Sequence, residues 1–295
     1  MAAHQSWEFE EGEALQPGRI VLKAIGGGNL YEVFLVWDET LYALAVAKVL
    51  RPDRVAEEKA RRDLGREAEA LAALAHPMLV RSFDAILDGP RPHLLIEHLD
   101  GPSLRRLIRR DGQVPLQQLL PLAANVAGAL QYMAQSGWVH LDVKPDNIIM
   151  GVPPRLVDLS IARTVERAAE TGGPIGTDAY MAPEQCDGEF AGQPIGPAAD
   201  AWGLGATLVH AIAGTKPFME PEPGAEGERR FPQLREDPVE LPAGTPAELR
   251  RLVLELLAPD PRERPSCAAA IERLEPLIAE LPRRMGVGKR GPIEL

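Results

Sequence analysis

Cysteine is nearly absent from this chain: two residues in 295, Cys186 and Cys267, with no CxxC pair and no Cys/His cluster. That excludes a disulfide framework and a structural zinc site as organising devices, and it fits a reducing, cytoplasmic setting. Positive charge is short as well, with 32 Lys and Arg against 43 Asp and Glu, a net charge of −11. Unspecific nucleic-acid binding rests on clustered cations, so no nucleic-acid partner is expected. Long apolar runs are missing too. The most apolar stretch, Leu116 to Met133, carries Gln117, Gln118, Pro121, Asn125 and Gln131. It reads as a buried globular helix, and no membrane span is expected. The first residues, MAAHQSWEFEEGE, are acidic and lack the apolar region of a signal peptide. His4, His93, His98 and His210 have no metal-ligand spacing. What is present, 45% hydrophobic and 25% charged residues, is an ordinary globular composition. The length suffices for one large domain or two lobes.

Alternation and β-branched residues predict strands over 20–25, 31–37 and 41–50, with Asp38-Glu39-Thr40 as a hairpin turn. Residues 53–75 switch to helical spacing, with Leu64, Glu67, Ala68, Leu71 and Leu74 on one face. Two more strands are expected at 79–87 and 93–99. Beyond Asp100-Gly101 the chain reads as helical, over 103–110, 115–135, 198–213, 246–257 and 266–280. A hairpin carries 148–150 and 155–157, a long loop covers 158–184, and the Pro/Gly/Glu-rich segment 216–244 reads as irregular. The arrangement is a small β-rich lobe, a hinge near Glu97–Leu99 and a larger helical lobe.

The most telling stretch is HLDVKPDN, His140 to Asn147, followed by Asp158. Phosphoryl transfer needs a carboxylate near the attacking hydroxyl and oxygen ligands for a divalent cation beside the nucleotide phosphates. Asp142, Asn147 and Asp158 supply that set, and Lys144 adds a cation. Upstream, Gly26, Gly27 and Gly28 lie between two predicted strands, where a glycine turn lets backbone N–H groups approach phosphate oxygens. Lys48 sits in the apolar run AVAKVL, so its charge needs a partner. Downstream stand GTDAYMAPE (176–184), DAWGLG (200–205) and Arg264 in PDPRERPS.

In this order the signatures resemble a protein kinase, specifically the eukaryotic-like Ser/Thr kinases of bacteria, over residues 18–280. The resemblance implies an α+β, two-lobed fold: an N-terminal extension (1–17), a β-rich N-lobe with one major helix (18–98), a mainly helical C-lobe (99–281) and a short basic tail (282–295). It implies an enzyme that uses ATP with Mg²⁺ or Mn²⁺ to phosphorylate protein Ser or Thr. Lys48 would hold the α/β-phosphates with Glu67 as its partner, Glu69 being the competing candidate. Asp142 would orient the acceptor hydroxyl, Lys144 would balance γ-phosphate charge, and Asn147 and Asp158 would hold the metal. Gly26, Gly27 and Gly28 would cover the phosphates. Ile96 would be the gatekeeper, Glu97 and Leu99 would offer backbone groups to adenine, and Val33, Val46 and Ile149 would sandwich the ring. The lysine at 144 and Thr177 both point to Ser/Thr acceptors. In the family Glu184 pairs with Arg264 and Asp200 braces the catalytic loop.

Three motifs depart from the family pattern. Tyr31 replaces the third glycine of GxGxxGxV, Leu141 replaces the arginine that receives an activation-loop phosphate, and Asp158-Leu159-Ser160 replaces DFG. Leu141 predicts activity that depends little on activation-loop phosphorylation, although Thr164, Thr171 and Thr177 are available acceptors. The same departures keep a second reading open, a pseudokinase acting as an ATP-binding or interaction scaffold. A small-molecule kinase is a third, disfavoured by the GTDAYMAPE segment. Arg105, Arg106, Arg109 and Arg110 form either a solvated helix face or a patch for an acidic partner, and a homodimer stays open.

Overall fold

Alternating side chains in the first hundred residues build a sheet with two different faces. The computed structural model describes residues 5–187, 192–222 and 224–282, so the basic tail beyond 282 and His4 lie outside it. Strands β1 (Ala14–Gln16), β2 (Arg19–Gly27), β3 (Tyr31–Asp38), β4 (Ala43–Leu50), β5 (Ser82–Ile86) and β6 (His93–Glu97) form one sheet in the order β1-β2-β3-β4-β6-β5. Every neighbouring pair is antiparallel. β1 has no counterpart in the sequence reading, because three residues carry too little alternation to signal a strand. The β3–β4 turn falls later than expected. The Asp38 carboxylate accepts the Thr40 and Leu41 N–H groups, both at 2.9 Å, and caps the turn there.

Along β4 the alternation sorts residues cleanly. Ala45, Ala47 and Val49 pack on one face with Val21, Phe34 and Leu95, where Trp7 and Phe9 cover them. Val46, Lys48 and Leu50 therefore point the other way, toward helix α1 (Glu58–Ala73) and the helical lobe. α1 starts after a separate turn at Pro52–Arg54, because Pro52 ends the strand without opening a continuous helix. Its buried stripe is Ala60, Leu64, Glu67, Ala70 and Leu71.

The second lobe is built on α2 (Leu104–Asp111), α3 (Leu116–Gln135), α6 (Pro197–Ala213), α7 (Ala247–Leu256) and α8 (Cys267–Ala279). α6 is buried on nearly every side, α3 leaves Gln117, Gln118, Asn125 and Gln135 exposed, and α3 packs against both α6 and α8. Ser103 and Ser266 cap α2 and α8 through their hydroxyls, and left-handed Gly214 ends α6. Between α3 and α6 run short strands β7 (Trp138–Val139), β8 (Ile148–Ile149), β9 (Arg155–Leu156) and β10 (Arg163–Thr164), with short helices α4 (Val165–Ala169) and α5 (Pro183–Cys186). The segment expected to be a plain loop over 158–184 thus contains β10 and α4, and β10 is tied to β7 by antiparallel pairing. Segment 216–244 holds only short turns among its described residues, as its proline and glycine content predicts.

Candidate active site

Cross-strand register brings the upper half of the site together. Val33 pairs with Lys48, and Val46 with Ile96, so all four share the face that looks toward the helical lobe. The Lys48 ammonium meets both carboxylate oxygens of Glu67, at 2.9 and 2.8 Å, and Asp158 Oδ1 at 2.9 Å. Glu69, the competing candidate, instead faces Arg167 at 3.2 Å in an exposed pair. Helical spacing explains this, since Glu67 shares the buried stripe and Glu69 does not. Burial works against the Lys48 charge, yet Glu67 and Asp158 outweigh it and hold the ammonium's pKa above its ordinary value. Burial likewise opposes ionisation of Asp158, but Lys48 and the Ser160 hydroxyl win and keep its carboxyl well below the usual range.

Tyr31 fills the position of the third glycine and turns inward. Its ring centroid lies 4.7 Å from Lys48 Nζ, a cation–π contact, and burial pushes the phenol up to about 12. The glycine turn is tight: a Cβ at Gly27 would lie 2.9 Å from the Tyr31 carbonyl, while Gly26 and Gly28 border open space. The outer side of this turn carries a strap that the sequence did not signal. Ser6 Oγ and Trp7 N donate to the Glu32 carboxylate at 2.6 and 2.9 Å, and Trp7 Nε1 donates to the Leu50 carbonyl at 2.7 Å. Arg51 Nε donates to the Gly28 carbonyl at 2.7 Å.

At the hinge, Ile96 and Leu99 are half-buried against the main core. The Glu97 N–H is spent on the Arg81 carbonyl at 2.9 Å, and its carboxylate pairs with Arg81 at 3.0 Å. Any adenine contact at Glu97 therefore falls to its carbonyl. Ile149 sits in the β8–β9 hairpin between Asn147 and Asp158, where it pairs with Arg155. Val157 N donates to the Asn147 carbonyl at 2.8 Å and ties the two ends of the hairpin together.

The lower half is a dense polar knot. Asp142 Oδ2 accepts from Lys144 Nζ at 2.6 Å and Asp142 Oδ1 from Thr177 Oγ1 at 2.7 Å, while Lys144 and Thr177 meet at 2.6 Å. Asn147 Nδ2 donates to the Asp142 carbonyl at 2.9 Å, which leaves its Oδ1 as an oxygen donor for a cation. With the Asp158 carboxylate this is an oxygen pair of the kind Mg²⁺ takes alongside substrate phosphates, so the residues fit the metal. Among the described residues there is no cluster of three or more His, Cys, Asp and Glu side chains able to hold a metal without such phosphates. Asp200, buried on α6, accepts the N–H groups of His140 and Leu141, both at 2.8 Å. Glu184 and Arg264 form a fully buried bidentate pair at 2.6 and 2.8 Å, and Arg264 lies over the Trp202 ring. In front of Thr177 a groove of about 560 Å³ is lined by Arg105, Asp146, Tyr180, Phe218 and Met219. Arg105 reaches Asp146 at 3.5 Å there, which sets it apart from its neighbours on the α2 arginine stripe.

Residues 20–274 match the family model described as a protein kinase domain. The chain belongs to the protein kinase family. The kinase domain is 32% identical over 257 residues to the serine/threonine-protein kinase PknB of Mycobacterium leprae, covering 83% of this chain and 40% of that protein. It is also 32% identical over 279 residues to PknB of Mycolicibacterium smegmatis, covering 90% and 42% respectively. The probable serine/threonine-protein kinase PkwA of Thermomonospora curvata is 32% identical over 265 residues, 88% of this chain and 34% of that protein. The chain thus spans about two fifths or less of the length of these relatives. Among the described residues, no helix of the kinase domain is long and apolar enough to cross a membrane.

Proposed function

We propose that this kinase domain transfers the γ-phosphoryl group of ATP, with Mg²⁺ or Mn²⁺, to Ser or Thr hydroxyls of protein substrates. The observation that carries this is the bonded set Asp142–Lys144–Thr177, assembled beside the Lys48–Glu67 pair. Asp142, with one carboxylate oxygen on Lys144 and the other on Thr177, is oriented to accept or steer the acceptor proton. Lys144 balances charge on the transferred group, and Lys48, fixed by Glu67, receives the α/β-phosphates. Asn147 and Asp158 hold the cation, which when bound neutralises phosphate charge. Gly26, Gly27 and Gly28 cover the phosphates. Val33, Val46 and Ile149 enclose the adenine, with Ile96 behind it and Glu97 and Leu99 along its edge. Positioning and electrostatics then supply the rate, with no covalent enzyme intermediate. The groove by Thr177 and the buried Glu184–Arg264 brace support a peptide acceptor over a metabolite. In this reading 18–98 and 99–281 act as the two lobes, and the domain works in the cytoplasm.

Leu141 supports activity that depends little on activation-loop phosphate. The segment is already fastened: Arg163 donates to the unmodified Thr171 hydroxyl at 2.9 Å, and Thr177 is bound to Asp142. A second reading, a nucleotide-binding scaffold without transfer, draws on the Tyr31 ring beside Lys48. Transfer of radiolabel from ATP to a generic protein acceptor separates the two. Asp142→Asn is expected to abolish turnover while leaving ATP affinity within about twofold. Unchanged turnover in that variant would refute the assignment, and nucleotide-dependent stabilisation without any transfer would favour the scaffold.

A further inference from the structure

Removing the arginine at position 141 leaves a question of mechanics: what holds the activation segment against the catalytic loop. Gln185 directly follows the APE segment and is 2% exposed. Its amide nitrogen donates to the Leu141 carbonyl and to the Ile175 carbonyl, both at 2.8 Å. Its amide oxygen accepts the Ala182 N–H at 3.1 Å, and its own backbone carbonyl accepts the Ile175 N–H at 3.3 Å. Every polar group of the side chain is therefore used. The two carbonyl acceptors also fix which end of the amide is nitrogen.

The two carbonyls it joins are well placed. Leu141 immediately precedes Asp142, and Ile175 stands two residues before Thr177, which binds Asp142 Oδ1. Leu141 holds left-handed backbone at φ 65°, with its N–H on Asp200 and its carbonyl on Gln185, so both of its peptide groups are clamped by side chains. Gly176 makes the approach feasible: at φ 126°, a Cβ there would lie 2.9 Å from the Leu141 carbonyl and 3.2 Å from Gln185 Nε2.

We infer that Gln185 is the positioning residue that fastens the activation segment to the catalytic loop, with neutral hydrogen bonds standing where a phosphate–arginine pair would otherwise act. This rests on the kinase reading above and explains how the site is set without modification. Losing the amide leaves two buried carbonyls unpaired, which loosens Asp142 and Thr177 together and leaves the nucleotide lobe untouched.

The test compares phosphatase-treated parent protein with Gln185→Met, which keeps the volume and lacks the donors, and Gln185→Glu, which keeps the shape and sets a carboxyl against two carbonyls. Hydrogen exchange is followed in peptides covering 139–143 and 174–178, alongside steady-state kinetics. The parent is expected to protect both peptides without phosphate. Both variants should exchange faster in both peptides, with kcat down at least tenfold and KM for ATP within twofold. Unprotected peptides in the parent overturn the inference without any variant. So do variants that match the parent in exchange and in kcat. A parent that transfers no phosphate defeats the kinase reading alone, because the exchange comparison still decides the role of Gln185.

Discussion

Leu141 carries a side chain into backbone space that costs it roughly 1–2 kcal/mol, and two buried acceptor and donor partners offset that strain. The same logic of paired burial governs His210. Its Nδ1 lies 2.6 Å from the Tyr180 hydroxyl, and burial, with Arg105 adding to it, Asp146 opposing and Lys216 also adding, pulls its pKa from 6.5 to about 4. Unfolded chain takes up this proton near pH 6.5 and folded chain only near 4, so the contribution is complete above pH 6.5 and is lost as pH falls through that window. Urea unfolding at pH 7.5 and pH 4.5 is expected to show a smaller acid loss in His210→Gln than in the parent. Equal losses would remove His210 from the account.

At the scale of elements, α5 is held by its ion pair more than by its length. Four residues cannot form a stable helix alone, and Glu184 anchors them to Arg264 in the loop before α8. Glu184→Ala leaves a buried guanidinium short of its partner, with an expected destabilisation of about 3–5 kcal/mol in urea unfolding. A loss below about 1 kcal/mol would mean that the carbonyls of Ala198, Ala258 and Pro259 suffice for Arg264. The activation segment gives a separate prediction. Thr164 caps α4 and Thr171 bonds Arg163, so the double alanine variant loses some local stability. Its kcat is nevertheless expected to stay within tenfold of the parent, or ~1.4 kcal/mol. A larger fall would show that phosphate on this segment matters. Element type was largely legible, because periodicity of two and of 3.6 is written into consecutive residues. β1, α4 and the shifted β3–β4 turn were not, since each depends on a few contacts and not on a repeat.

For the whole molecule, the Lys48–Asp158 contact joins β4 to the segment after β9 and so bridges the two halves of the cleft. ATP with Mg²⁺ at one hundred times its Kd is expected to stabilise the fold by about 2.7 kcal/mol, read as a rise in Tm. Asp158→Asn should keep a response to ATP alone and lose the added response to Mg²⁺; an undiminished Mg²⁺ effect would exclude Asp158 as a ligand.

Asp142, Lys144 and Asn147 could be picked out together because they stand within one octapeptide, with Asp158 eleven residues after Asn147, whereas Lys48 and Glu67 were placed by resemblance to the family. Glu67 could be preferred over Glu69 because the resemblance points to it and helical spacing sets Glu69 off the apolar face of Leu64 and Leu71. Tertiary structure decided the rest. The Tyr31 ring turned under the glycine loop onto Lys48, Ser6 and Trp7 reached Glu32, and Gln185 found Leu141 across 44 residues of chain. Hydrogen bonds between distant segments leave no periodic trace in the sequence. Their partners exist only once the elements have packed and the buried carbonyls must be satisfied.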